Sequence, residues 1–267
     1  MGIGKRIRLN RLFSHPSGRL CSMAVDHFIG YGEGIPEGLR RVRRTLAAIV
    51  EGAPDAVTMH RGIATSAWEP YAGRVPWILQ STIGRVDDSA CERFAEPEDA
   101  VLLGADAIAV AVFVRGSTEG QHLRMVVDCV RAAARFDLPV ITHIYPRVFR
   151  DGPRVSFAPE DIAWAVRCAL ECGTDVIKVP YCNDVKAYAE IVAECTVPVV
   201  AAGGPKTDTL AAALTMFADV VAAGARGVTV GRNVWGHERV VDVVRAVKMV
   251  VHDGRSAAEA MAAVGLR

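Results

Sequence analysis

Residues 1–267 read as one α/β domain, a (β/α)8 TIM barrel, and three observations carry that expectation. Short β-branched runs alternate with longer amphipathic stretches along almost the whole chain, the pattern of βα units around a parallel sheet. The runs number eight, the count that closes a barrel. Several of them, such as Ala107-Ile-Ala-Val-Ala-Val112 and Val197-Pro-Val-Val-Ala201, are apolar on both faces. Strands of that kind have helices outside and packed side chains inside, which excludes a half-exposed antiparallel sheet.

The strands are expected near residues 20 to 26, 55 to 60, 76 to 82, 106 to 114, 139 to 145, 175 to 180, 197 to 202 and 227 to 231. Helical periodicity covers Glu37 to Glu51, Gln121 to Phe136, Pro159 to Cys172, Asp184 to Cys195, Asp208 to Ala223 and Glu238 to His252, with stops at Gly173, Gly224 and Gly254. Between Ile63 and Pro76 the residues Trp68, Pro70 and Gly73 break any clean helical pattern, so the second unit is expected to carry a short helix or a loop. No low-complexity linker or charge run marks a second domain.

A formal charge of +1 at pH 7 gives no net reason to expect nucleic acid or an acidic membrane surface. No apolar stretch reaches the roughly 20 residues a membrane helix needs, and Met1-Gly-Ile-Gly-Lys-Arg-Ile-Arg8 has no apolar segment behind its charges, so a cytoplasmic protein is expected. The cysteines number 7, with no Cys-x-x-Cys pair; reduced, mostly buried thiols are expected rather than a disulfide framework or zinc ribbon.

In such a barrel the carboxyl ends of the strands and the loops after them build the site. Asp26 ends the first strand, His60 and Arg61 the second and Tyr145 the fifth; Lys178 lies in the apolar run Asp175-Val-Ile-Lys-Val-Pro180. His143 shares a strand face with Tyr145, whereas strand alternation points His27 away from Asp26. Lys178 is one of only five lysines in the chain. Desolvation favours the neutral amine, so a lysine there can be drawn from about 10.4 toward 7 and become a nucleophile able to form a Schiff base. The turns Gly203-Gly204-Pro205-Lys206 and Gly231-Arg232-Asn233 follow strands seven and eight, where barrels often cradle phosphate on backbone N–H groups, and Arg232 adds charge.

The segments Ala24-Val-Asp-His27, His60-Arg-Gly62, Ile144-Tyr-Pro-Arg147, Asp175 to Pro180, Pro198 to Asp208 and Gly227 to Asn233 together resemble the archaeal-type class I fructose-bisphosphate aldolases. Those belong to the deoxyribose-phosphate and tagatose-bisphosphate aldolase superfamily. Relatives in the same group are an amino-dideoxy-heptulosonate synthase and a thiolase acting on a phosphorylated quorum-sensing product. The resemblance implies a cytoplasmic, metal-independent lyase without a cofactor, acting on a phosphorylated ketose or its aldehyde product, and a homo-oligomer. It implies Lys178 as the Schiff-base lysine, Tyr145 and Asp26 as proton-transfer residues, and Gly203, Gly204, Gly231 and Arg232 as the phosphate cradle. His27, His60, Arg61 and His143 are expected to bind substrate. The chain departs from the family pattern at Phe28 and Val148, where glycine is usual, and at Arg61, where lysine is usual. These changes put fructose 1,6-bisphosphate itself in question and leave the synthase and thiolase chemistries open. A metal-dependent aldolase using His27, His60 and His143 and a non-catalytic sugar-phosphate binding barrel are the other readings.

Overall fold

The structure, a computed structural model, describes residues 1–31 and 34–266. In chain order the strands are Leu20–Ala24 (β1), Ala56–Met59 (β2), Trp77–Gln80 (β3), Thr82–Gly84 (β4), Cys91–Arg93 (β5), Ala107–Val114 (β6), Val140–Val148 (β7), Arg154–Val155 (β8), Val176–Val179 (β9), Val199–Ala202 (β10) and Gly227–Val230 (β11). Eight of them pair in parallel in the cycle β6-β3-β2-β1-β11-β10-β9-β7, and the pairing of β6 with β7 closes the barrel. The remaining strands are accessory. β4 and β5 form an antiparallel hairpin after the third barrel strand, and β8 folds back on the end of β7.

The helices are Ile3–Leu12 (α1), His27–Tyr31 (α2), Val42–Glu51 (α3), Arg61–Ala67 (α4), Pro97–Leu102 (α5), Glu119–Ala133 (α6), Pro159–Glu171 (α7), Val185–Ala193 (α8), Leu210–Ala222 (α9), Arg232–Trp235 (α10), Val240–Asp253 (α11) and Ala257–Ala263 (α12). The six long helical patterns of the sequence are present as α3, α6, α7, α8, α9 and α11. The first is shorter than expected, because Glu37–Leu39 forms a separate 3-10 turn before α3. α4 is the short helix expected in the second unit. Gly254 caps α11 in the left-handed conformation (φ 68°), which a side chain would strain. All seven cysteines are free, but Cys91, Cys168, Cys172 and Cys195 are only partly covered, so the expectation of mostly buried thiols is corrected.

Strand alternation sorts the core into two layers. Leu20, Ala56, Ile78, Ala107, Ala109, Ile141, Val176 and Val200 point inward and fill the lower half of the barrel, with Leu12 of α1 packed against them as a plug. Their sequence neighbours, such as Cys21, Val57, Leu79, Ile177 and Val199, face outward and pack under the helices. The inward positions are apolar near the amino ends of the strands and polar toward the carboxyl ends. Two residues at a time, Val176 leads to Lys178, Ile141 to His143 and then Tyr145, and Ile78 to Gln80. The same period that builds the core therefore aims Lys178, His143, Tyr145 and Gln80 at one mouth.

Candidate active site

A cavity of about 350 Å³ opens at that mouth. Lys178, Tyr145, Asp26, His27, His60, His143, Gly203, Gly204, Gly231 and Arg232 all line it, so the structure brings together ten of the eleven residues expected there. Arg61 is the exception. It opens α4 outside this cavity and pairs with Asp99 at 2.7 Å. The expectation for His27 is also corrected in direction. Because β1 ends at Ala24, His27 opens α2 rather than continuing the strand, and its ring turns back so that Nδ1 lies 3.3 Å from Asp26 Oδ1. Tyr145 lies inside β7 rather than at its end, since pairing with β6 and β8 extends that strand to Val148.

Lys178 is only 5% exposed and sits in cross-strand register with His143. It is close enough for its charge to act on both Asp26 and His143. Burial pushes the Asp26 carboxyl up, but the hydrogen bond and charge of His27, with the charges of Lys178 and His143, hold it well below the usual carboxylate range. Burial drives His143 well below the ordinary imidazole value, with the Lys178 charge acting in the same sense. Burial likewise raises the Tyr145 phenol far above its ordinary value, helped by the negative charge of Asp26. The site at neutral pH thus holds an ionised carboxylate, a neutral imidazole and a protonated phenol around one buried amine.

Gln80 joins these groups. Its Nε2 donates to Asp26 Oδ2 at 2.8 Å and lies 3.3 Å from His143 Nδ1, and its backbone carbonyl lies 3.1 Å from His60 Nδ1. Donation to His143 Nδ1 fixes that nitrogen as the acceptor and leaves the proton of the neutral ring on Nε2. The sequence pattern did not single out Gln80. The available signal was an amide at the last inward position of the apolar run Trp77-Ile-Leu-Gln80.

The two glycine turns are locked to each other. Asn233, buried at the start of α10, donates from Nδ2 to the carbonyls of Gly203 (2.8 Å) and Pro205 (2.9 Å), and its Oδ1 accepts from Thr207 N at 2.9 Å. Arg232 Nη2 donates to Gly204 O at 3.2 Å. Gly203 N–H already donates to Thr229 O at 2.8 Å, so its contribution to a cradle is shape. A Cβ there would stand 2.9 Å from Val230 Cα, and one at Gly231 would strike the His27 ring at 2.2 Å. Gly204 holds φ +69°, the conformation that turns successive backbone amides toward one point.

Among the described residues no group of three or more His, Cys, Asp or Glu could hold a metal ion, so the three histidines do not converge as a ligand set.

The burial of His143 and His60 in the site, and of His122 in α6, sets an expected pH response of stability. In the unfolded chain imidazole titrates near 6.5, and the folded values of His143, His60 and His122 are lower, burial being the first cause in each. The unfolded state then binds more protons, so stability is full above about 6.5 and falls as pH drops toward 5. The depressed Asp26 carboxyl adds a further loss below its ordinary value of 3.8. Urea denaturation at pH 7.5, 6 and 5 is expected to show this fall, and His143→Asn should reduce its slope by about one proton.

A family model described as DeoC/LacD family aldolase matches residues 20–237. The chain is 30% identical to "2-amino-3,7-dideoxy-D-threo-hept-6-ulosonate synthase 1" of Archaeoglobus fulgidus over 97% of its length and 95% of the relative's. It is 33% identical to "Fructose-bisphosphate aldolase class 1" of Thermoproteus tenax over 93% of its length and 95% of the relative's. Among solved structures, an archaeal fructose-1,6-bisphosphate aldolase with its catalytic lysine covalently bound to the carbinolamine intermediate superposes with a TM-score of 0.80 at 31% identity, covering 93% of this chain and 99% of that one.

Proposed function

The chain belongs to the DeoC/LacD family of aldolases, and on that premise we propose that it is a class I aldolase that makes or breaks a carbon–carbon bond in a phosphorylated ketose through an imine on Lys178. The observation that carries this reading is a nearly buried amine sharing one cavity with Asp26, Tyr145 and two interlocked glycine turns. A module that only bound sugar phosphates would need the turns but not the carboxylate, phenol and desolvated amine beside them.

The residues support the following sequence of events. The neutral amine of Lys178 attacks the ketone carbon, and loss of water leaves a protonated imine that withdraws electrons from the adjacent carbon–carbon bond. Asp26, ionised and steadied by His27 and Gln80, handles the protons of carbinolamine formation and breakdown. Tyr145 donates its phenolic proton to the aldehyde oxygen in condensation; in cleavage it first gives that proton to the hydroxyl that leaves the carbinolamine as water, and the phenolate so formed takes the substrate hydroxyl proton. Its raised value suits the donor role at rest. The imine cation offsets the negative charge of Asp26, which makes the phenol more acidic at the moment cleavage needs a base. Arg232 and the Gly204 turn hold the phosphate and place the ketone against Lys178, contributing position rather than chemistry.

A second reading, condensation by an amino-dideoxy-heptulosonate synthase through the same lysine, is favoured by the similarity to the Archaeoglobus enzyme.

Borohydride reduction in the presence of dihydroxyacetone phosphate, followed by intact-mass analysis and peptide mapping, is expected to place one reduced adduct on Lys178. Absence of any adduct across a panel of ketose phosphates, with activity lost on chelation, would favour the metal-dependent alternative. Tyr145→Phe is expected to form the same adduct but to cleave about 10² to 10⁴ times more slowly, the usual range for losing one acid–base group. Stopped-assay cleavage rates set beside adduct yield measure that separation.

A further inference from the structure

A second cavity, of about 470 Å³, adjoins the first. The two share Asp26, His60 and Gln80, so one side of the proton-transfer network faces each of them. In the cyclic strand order β2 stands directly across the barrel from β9, which carries Lys178. The second cavity is built at the carboxyl ends of β1, β2 and β3, and the glycine turns belong to β10 and β11. A substrate anchored by phosphate at those turns and joined to Lys178 has two directions of extension, along the first cavity past Ala111, Phe113 and Arg154, or across the barrel toward this chamber.

The chamber is apolar. Phe28, Ile29, Ile35, Leu39, Ile63 and Phe94 make its walls. Phe28, Ile35 and Phe94 are respectively 48%, 52% and 51% exposed, so three large hydrophobic side chains are gathered, half-covered, round one opening. Isolated exposed apolar residues are ordinary on a protein surface, whereas a cluster facing one cavity marks a place where apolar matter binds. The two arginines on its wall are paired with carboxylates: Arg40 with Glu37 at 2.8 Å and Arg61 with Asp99 at 2.7 Å. Arg147, near the end of β7, is buried against Asp88 at 2.6 Å and does not line the chamber. The chamber therefore offers an anion little and a hydrocarbon much.

We propose that this chamber receives the apolar end of the aldehyde partner, so that the substrate beyond the scissile bond carries an alkyl or aromatic group rather than a second phosphate. The inference rests on the imine reading of Lys178 and deepens it. Its basis is continuity: the carboxylate that serves the imine also forms part of the chamber wall.

The test uses the wild-type protein with dihydroxyacetone phosphate as donor and straight-chain aldehydes from propanal to octanal, with glyceraldehyde 3-phosphate for comparison. KM is expected to fall about threefold to fourfold per methylene until the chamber is filled, the ratio that corresponds to burying one CH₂. Phe94→Ala and Ile35→Asn, both at half-exposed positions, should flatten that dependence. Adduct formation by dihydroxyacetone phosphate on Lys178, read separately by mass, reports the imine reading. Adduct formation with a flat or rising dependence of KM on chain length overturns the chamber proposal and leaves the aldolase intact. If no adduct forms, alkanols from propanol to octanol serve as unreactive probes by saturation-transfer NMR. Binding that strengthens with length and weakens in Phe94→Ala supports the chamber on its own; no length dependence overturns it. Sedimentation of the two variants adds a final control. A changed oligomeric state with unchanged alkanol binding means that a second copy covers this face, and the proposal falls.

Discussion

Lys178→Met is expected to lower aldol cleavage by about four orders of magnitude or more, because it deletes the nucleophile while nearly preserving side-chain volume. The covalent route has no substitute in the cavity. His143, in the strand next to the lysine, is a poor replacement, since its ring is held by Gln80 at Nδ1. The fold should survive, because a methionine adds no buried charge and the lysine occupies a position only 5% exposed. Lys178→Arg divides charge from nucleophilicity, since a guanidinium stays charged and forms no imine at neutral pH. Both variants are expected to give no borohydride adduct. If Lys178→Arg retained cleavage, the amine would be only a charge partner and the imine reading would fail. Circular dichroism and thermal midpoints measured on the same samples separate lost chemistry from lost structure.

The parts of this molecule legible in the sequence are those fixed by a local repeat. Alternation along β7 and β9 puts His143, Tyr145 and Lys178 on the inner face, and counting by two from the apolar residues below them is enough to predict it. Prediction fails where the strand stops. His27 was expected to point away from Asp26, but the backbone turns into α2 at that residue, and Trp235 meets its ring edge to face at 5.3 Å. Arg61 fails for the same reason, as the first residue of α4 rather than the continuation of β2. Gln80, Asn233 and the apolar chamber were hidden for another reason. Their roles depend on contacts between segments separated by tens of residues, such as Gln80 with Asp26 or Asn233 with Gly203, and no periodicity encodes those. The amino-terminal α1 was also missed. Its apolar face is narrow, and what defines it is the open bottom of the barrel that Leu12 fills.

Arg147→Met is expected to cost about 3 kcal/mol of stability, the low end of the range for breaking a buried ion pair by removing one partner, because the Asp88 carboxylate keeps some contact with water. The guanidinium is fully buried and ties two loops to β7 at the barrel mouth. Nη1 donates to Asp88 Oδ1 at 2.6 Å and to Val86 O at 3.2 Å in the segment joining β4 to β5. Nη2 donates to Thr118 Oγ1 at 2.8 Å and Nε to Arg115 O at 3.1 Å, both in the segment after β6. It also lies 5.6 Å from the ring of Phe113, which packs 5.7 Å from Tyr145, so its loss should loosen the phenol as well as the loops. A pH signature distinguishes this cause from simple cavity formation. His122, whose Nε2 lies 3.0 Å from Asp88, is lowered by burial first and also by the Arg147 charge. Without Arg147 the imidazole protonates more readily and the exposed negative charge of Asp88 gains a new partner. The stability deficit of Arg147→Met relative to wild type should therefore shrink as pH falls from 8 to 5.5 in parallel denaturation curves. A deficit that stays constant across that range would mean that packing around the methionine, and not the orphaned carboxylate, sets the cost.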